Sequence, residues 1–285
     1  MSSHRGPLVL ILASALASAW LIGPATAPAA QTVTISPDSA GNAQLVINGD
    51  SSDEKLTFST SADGSQVTIV GFFKGTPPSG CTRIDTKTIR CATASFDSVA
   101  IDLGAGDDTV SVDPAFPNAK PVSATLGDGR DTFTGGGEAD SCDLGAGPNV
   151  CTTNGGNDTC IGGSGRDHCD MGQGSDICLG LQDNDRCSAG PGNDRCSQAS
   201  GNDLCFMGAG NDICRLGSGN DQCSLGPGRD VCIGGTGNDI CRGGPGADLL
   251  RGGPGTDQLI AGGGRDTCSQ GPGRGPLSSC EVITR

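Results

Sequence analysis

The chain has 285 residues with 49 Gly, 16 Pro and 16 Cys, only 3% aromatic residues and a formal charge of −14. With 34% apolar residues and no Tyr, an ordinary thick globular core does not fit, and Gly and Pro at this density point to disorder or to a fibrous repeat. The acidity disfavours nucleic acid and anionic membranes and leaves cations as the natural partners; 29 Asp stand against 3 Glu (Glu54, Glu138, Glu281), so the short carboxylate is wanted for its geometry.

Residues 1–30 read as a cleaved signal peptide. Arg5 supplies the charged start, an apolar stretch runs from Leu8 to Ile22, and small residues follow around Ala29 and Ala30. About 15 apolar residues ending in Gly23-Pro24 are short for a membrane span, so no membrane insertion is expected. Export places the cysteines in an oxidising, extracellular setting. Residues 31–98 read as a β-rich cap. Short β-branched runs such as Thr32-Val33-Thr34-Ile35 and Gln66-Val67-Thr68-Ile69-Val70 are separated by turn residues such as Asn48-Gly49-Asp50. Cys81 and Cys91 flank a short segment that fits a hairpin closed by a local disulfide. No helical period appears beyond residue 30, and residues 278–285 read as a C-terminal cap.

The dominant signal is a nine-residue repeat. From Asp131 a carboxylate recurs at Asp140, then Asn149, Asp158, Asp167, Asp176, Asp185, Asp194, Asp203, Asp212, Asp221, Asp230, Asp239, Asp248, Asp257 and Asp266. Two residues after each lies a second column: Phe133, twelve successive Cys from Cys142 to Cys241, then Leu250, Leu259, Cys268 and Leu277. Gly sits two residues before the carboxylate in 14 of 16 units and four before it in 13, so repetition sets the architecture. The glycines permit a tight turn, and the Asp ends it with its carboxylate aimed back inside. The next three residues form a brief strand with its middle side chain inward. Two units make a coil of 18 residues, and stacked coils form two parallel sheets. At about 4.8 Å per coil, eight coils make a rod about 40 Å long in which each layer buries the next.

The turns Gly162-Gly163-Ser164-Gly165-Arg166-Asp167, Gly234-Gly235-Thr236-Gly237-Asn238-Asp239, Gly243-Gly244-Pro245-Gly246-Ala247-Asp248 and Gly252-Gly253-Pro254-Gly255-Thr256-Asp257 resemble the GGxGxD turn of the RTX (haemolysin-type) calcium-binding repeats. The resemblance covers residues 126–275, with an earlier unit ending at Asp108, so the roll as a whole is placed at 99–277. It implies an all-β parallel β-roll with multiple Ca²⁺ ions between stacked turns, held by Asp carboxylates and main-chain carbonyls. The ligand role falls on Asp108, Asp131, Asp140, Asp158, Asp167, Asp176, Asp194, Asp203, Asp212, Asp221, Asp230, Asp239, Asp248, Asp257 and Asp266. Hard oxygen ligands suit Ca²⁺, and the uncompensated carboxylates suggest that ordering is coupled to it. The edge from Asp176 to Asp266 keeps all its glycines and is the stronger ladder. Asn149 and Asp185, whose turn carries Leu181 and Asp183 in place of glycine, are expected to be structural, which concentrates calcium toward the C-terminal half.

The cysteine column departs from the family, which usually places a large apolar residue there. Small buried hydrophobes, cross-coil disulfides such as Cys142–Cys151, and a thiolate metal store all remain open, with Cys268 and Cys280 available as an end staple. An enzyme is not expected. The one histidine beyond residue 30, His168, occupies an outward variable position, and no nucleophile motif or phosphate loop stands out. Adhesion or self-association is the second class, because outward positions include Ile161, Ile177, Leu179, Ile213, Val231 and Ile233. RTX exporters usually read a C-terminal signal; an N-terminal one here suggests the general export route.

Overall fold

The structure is a computed structural model describing residues 31–116, 120–273, 275–280 and 282–284; the segment read as a signal peptide lies outside them. The described chain is all-β apart from one 3₁₀ turn at Thr93–Ser95. Nearly every strand belongs to a right-through stack in which residue i lies beside residue i+18. Cys142 pairs with Cys160 and Cys160 with Cys178 in one parallel sheet, while Cys151 pairs with Cys169 and Cys169 with Cys187 in the other. The two sheets hold 13 and 14 of the described strands. The expected parallel β-roll of 18-residue coils is therefore what the chain forms.

The interior follows from the period of two along each strand. In Thr159–Gly163 the burial alternates, with Cys160 inside and Thr159 and Ile161 outside. The cysteines of the column are at most 2% exposed, and a second inward column of Leu144, Met171, Met207, Leu216 and Leu225 is fully buried beside it. Each such Leu or Met contributes about 1.5–3 kcal/mol by leaving water. Cysteine makes the roll thin. Between the bridged cysteines nine residues apart, Cα atoms of the two sheets stand 6.2–6.9 Å apart, against about 10 Å for ordinary stacked sheets. Five cross-coil disulfides result: Cys142–Cys151, Cys160–Cys169, Cys196–Cys205, Cys214–Cys223 and Cys232–Cys241. Cys81–Cys91 and Cys268–Cys280 are also bridged, and Cys178 and Cys187 are buried thiols.

At the N-terminal end, β1 (Thr32–Pro37) pairs antiparallel with β2 (Ala43–Asn48). β2 and β3 (Lys55–Thr60) already run as a coil: they lie parallel to β7 (Ser98–Asp102) and β8 (Thr109–Val112), with Leu45 beside Val99 and Leu56 beside Val110. Between β3 and β7 the chain makes an excursion. There β4 (Gln66–Val70), β5 (Cys81–Arg83) and β6 (Thr88–Ala92) extend the second sheet antiparallel, and Cys81 faces Cys91 across β5 and β6. One inserted stretch follows β8, where Phe116 is buried with its ring edge-on to Phe58 at 5.9 Å. The register then resumes with β9 (Val122–Thr125) beside β7.

Candidate metal centre

The turns work because two glycines adopt backbone conformations that a side chain would resist. Gly235 and Gly237 have φ of 109° and 133°, and a Cβ on Gly237 would stand 1.6 Å from the Gly219 carbonyl oxygen of the coil below. The degenerate turns keep this shape with other residues: Asn154, Leu181 and Asp183 have φ of 72°, 77° and 70°.

The carboxylates lie at the inner end of each turn, 0–4% exposed. Along one edge each Asp N–H donates to the Oδ1 of the Asp one coil on: Asp140 to Asp158 (2.7 Å), then Asp158, Asp176, Asp194, Asp212, Asp230 and Asp248 each to the next, ending at Asp266. The other edge runs from Asp108 to Asp131, Asn149, Asp167, Asp185, Asp203, Asp221, Asp239 and Asp257. All the Asp residues singled out in the sequence thus stand in two ladders. The second ladder begins one coil earlier than the repeat suggests, because Glu54 N donates to Asp108 Oδ1 at 2.7 Å and Glu54 is itself 4% exposed.

The second oxygen of these carboxylates carries the chemistry. In Asp108, Asp131, Asp158, Asp167, Asp176, Asp194, Asp203, Asp212, Asp221, Asp230, Asp239, Asp248 and Asp257, Oδ2 is buried and accepts no hydrogen bond. At the turns that begin with Gly162, Gly234 and Gly243 it converges with a main-chain carbonyl of the next coil on a space that the glycine keeps open; at most other turns the same inward position is filled by Leu, Met, Ala, Thr or Gln. A Cβ on Gly234 would stand 2.5 Å from Asp239 Oδ2 and 2.7 Å from the Gly252 oxygen; on Gly162, 2.7 Å from both Asp167 Oδ2 and the Gly180 oxygen; on Gly243, 2.5 Å from Asp248 Oδ2 and 2.3 Å from the Ala261 oxygen. Carboxylate and carbonyl oxygens facing one another without a donor form a hard-cation environment, and these residues fit Ca²⁺. Burial makes ionisation unfavourable: it pushes Asp131 and Asp230 up to about 6, and Asp158, Asp167, Asp194 and Asp221 up to about 7.

Two positions show what a donor does in this place. The Asn149 amide Nδ2 donates to the Leu144 oxygen (3.3 Å) and the Gly147 oxygen (2.9 Å) of its own turn, so the side chain supplies its own positive end. Asp140 Oδ2 accepts the Gly136 N–H at 2.6 Å, so both its oxygens are satisfied by amides.

Sequence reasoning missed an outer ladder. The residue before each Asp is often Asn, and its Oδ1 accepts the N–H one coil further on: Asn184 from Asn202 (2.6 Å), Asn202 from Asn220 (2.7 Å), Asn220 from Asn238 (2.9 Å) and Asn238 from Thr256 (2.8 Å). The signal was present as recurrent Asn beside the Asp column, but its meaning needs the stacking. The inner ladder donates forward along the chain and the outer one backward, so each turn is tied to its neighbours in both senses.

Comparison with known proteins agrees with this geometry. No curated protein matches the chain. The sequence model of the RTX calcium-binding nonapeptide repeat (4 copies) matches in five segments, 125–151, 152–169, 172–196, 200–223 and 233–268. These segments carry the two Asp ladders and their glycine turns; the chain belongs to the RTX calcium-binding nonapeptide repeat family.

Proposed function

We propose that the chain is an exported calcium-binding rod whose ordering depends on the ion. The observation that carries the reading is the row of buried Oδ2 atoms without a hydrogen-bond donor, which at Asp167, Asp239 and Asp248 face a carbonyl oxygen across a space that glycine leaves open. Calcium supplies the positive charge that this arrangement of oxygens lacks. The chain's own residues do the rest. Oδ1 of each Asp is fixed by a main-chain N–H from the preceding coil, and at Asp167, Asp239 and Asp248 Oδ2 then faces the carbonyl of the following one. The turns ending at Asp158, Asp167, Asp176, Asp194, Asp212, Asp221, Asp230, Asp239, Asp248 and Asp257 are the ion-binding positions, together with Asp108, Asp131 and Asp203, all of which carry a buried Oδ2 that accepts no hydrogen bond. Asp140 and Asn149 are structural. The full glycine complement after Asp212 favours the C-terminal half.

An extracellular location is supported by seven disulfides in one chain. The signal-peptide reading of residues 1–30 supports it as well. The binding role is structural rather than catalytic. Circular dichroism and thermal melting of the full chain, with calcium and with EGTA, together with a calcium count by mass spectrometry, test the proposal. Several bound ions and a lower melting temperature in EGTA are expected; no bound ion and identical melts would overturn it.

A further inference from the structure

The turn ending at Asp185 has lost both of its special glycines, with Leu181 and Asp183 in their places, and by sequence it is the least suited to an ion. The structure gives it a different equipment. Asp185 is 4% exposed; its Oδ1 accepts the Asp167 N–H at 2.9 Å, as elsewhere on the ladder, and its Oδ2 is buried and accepts no hydrogen bond. One coil beyond Gly180, where the turns at Gly162, Gly234 and Gly243 have a main-chain carbonyl, stands Gln198. It is the one glutamine of the inward column so deeply buried, at 5% exposure.

Gln198 is held in a defined orientation. Its Nε2 donates to the sulfurs of the Cys196–Cys205 disulfide, at 3.2 Å to Cys196 Sγ and 3.5 Å to Cys205 Sγ. That leaves Oε1 buried and without a donor. A Cβ on Gly180 would stand 1.7 Å from Gln198 Oε1 and 2.4 Å from Asp185 Oδ2. Two unpartnered buried oxygens, one of them anionic, therefore converge on a glycine-kept space like those at Gly162, Gly234 and Gly243. Asp183 does not join them, since its Oδ2 accepts the Gly165 N–H at 3.0 Å in an exposed position.

We propose that Asp185 and Gln198 form a calcium site in which a side-chain amide oxygen replaces the main-chain carbonyl found at Gly162, Gly234 and Gly243. A neutral amide oxygen on a hard divalent cation is ordinary calcium chemistry. The polar intrusion into a column otherwise filled by Leu, Met, Ala, Thr and Gly then has a purpose. It keeps the ion ladder continuous through the turn where the glycine pattern fails. The inference rests on the reading that the intact turns hold calcium.

The test is native mass spectrometry of the full, disulfide-intact chain over a calcium titration, with Gln198→Leu, Asp185→Asn and Gln198→Glu. Leucine is accommodated one coil on at Leu216, which is fully buried, and Asp185→Asn copies the side chain already present at Asn149. Loss of one bound calcium, or weakening of one site by at least about tenfold, is expected in the first two variants, and retention in Gln198→Glu. If Gln198→Leu fails to fold, Asp185→Asn decides. Calcium number and affinity equal to wild type in both would overturn this site while leaving the intact turns standing; a shared proton between the two oxygens would give that result. A wild-type chain that binds no calcium would overturn the underlying reading instead.

Discussion

Replacing Gly234 by Ala fills one ion position with a methyl group and changes little else. Gly234 is outside the left-handed region of φ, so alanine meets no backbone strain there. Its Cβ would nevertheless stand 2.5 Å from Asp239 Oδ2 and 2.7 Å from the Gly252 oxygen. The crowding costs about 1–3 kcal/mol, set against about 0.4–1 kcal/mol gained from a stiffer unfolded chain. Both terms act with or without calcium. The ion's own contribution does not: with a dissociation constant of ~10⁻⁴ M, calcium at about 2 mM stabilises the folded state by about 1.8 kcal/mol per site. The quantity to measure is the calcium-dependent increment in stability from denaturant titrations in calcium and in EGTA, for wild type and variant. It should fall by about 1.8 kcal/mol in Gly234→Ala. Gly263→Ala is the control, since a Cβ there meets nothing within 4 Å, and its increment should equal that of wild type. An unchanged increment in Gly234→Ala would refute the assignment of the ion to this space.

Acidification should stabilise the metal-free rod. Burial raises the folded-state pKa of Asp158, Asp167, Asp194 and Asp221 to about 7, so the folded state holds more protons than the unfolded chain between about pH 4 and 7, and stability falls as pH rises through that window. Melting in EGTA at pH 5 and pH 7.5 checks the sign, and a higher Tm at pH 7.5 would contradict it. Asn149→Asp should lower the stability of the metal-free chain by removing the donors to the Leu144 and Gly147 oxygens, by about 1–3 kcal/mol, and should add one calcium to the count; an unchanged count would argue against the role given to Oδ2. Thiol titration of the denatured, unreduced protein should find two thiols, Cys178 and Cys187; twelve or more would exclude the disulfide column. Cys214→Ser with Cys223→Ser should cost roughly 2.5–3 kcal/mol of stability, the loop-closure value for a bridge of this span, read by denaturant titration under oxidising conditions.

The Asp and Cys columns were legible because a stacked roll demands an exact period: one residue of slip would turn every inward side chain outward. What the period could not show is where stacking starts. Glu54 holds the place of an Asp with a longer side chain, and the excursion of β4, β5 and β6 separates its coil from the next, yet the pairing of Leu56 with Val110 puts it in register. The choice among disulfides, thiols and metal thiolates stayed open in sequence because it turns on sheet spacing. Small cysteine layers draw the sheets to 6.2–6.9 Å at the bridges, within or at the limit of disulfide reach. The outer Asn ladder and the orientation of Gln198 depend on neighbours 18 residues away or across the roll, and no local pattern announces them.

The disulfides join cysteines nine residues apart within single coils, and none links one coil to the next along the repeats. Covalent strength therefore runs across the rod, while cohesion along it rests on hydrogen bonds and ions. Under tension from its ends such a rod should peel one coil at a time. A bridged coil keeps about nine residues looped behind its disulfide and yields about 30 Å of slack, whereas the coil containing Cys178 and Cys187 yields about 60 Å. A reducing agent would lengthen each step, and a chelator would lower the force at which it occurs.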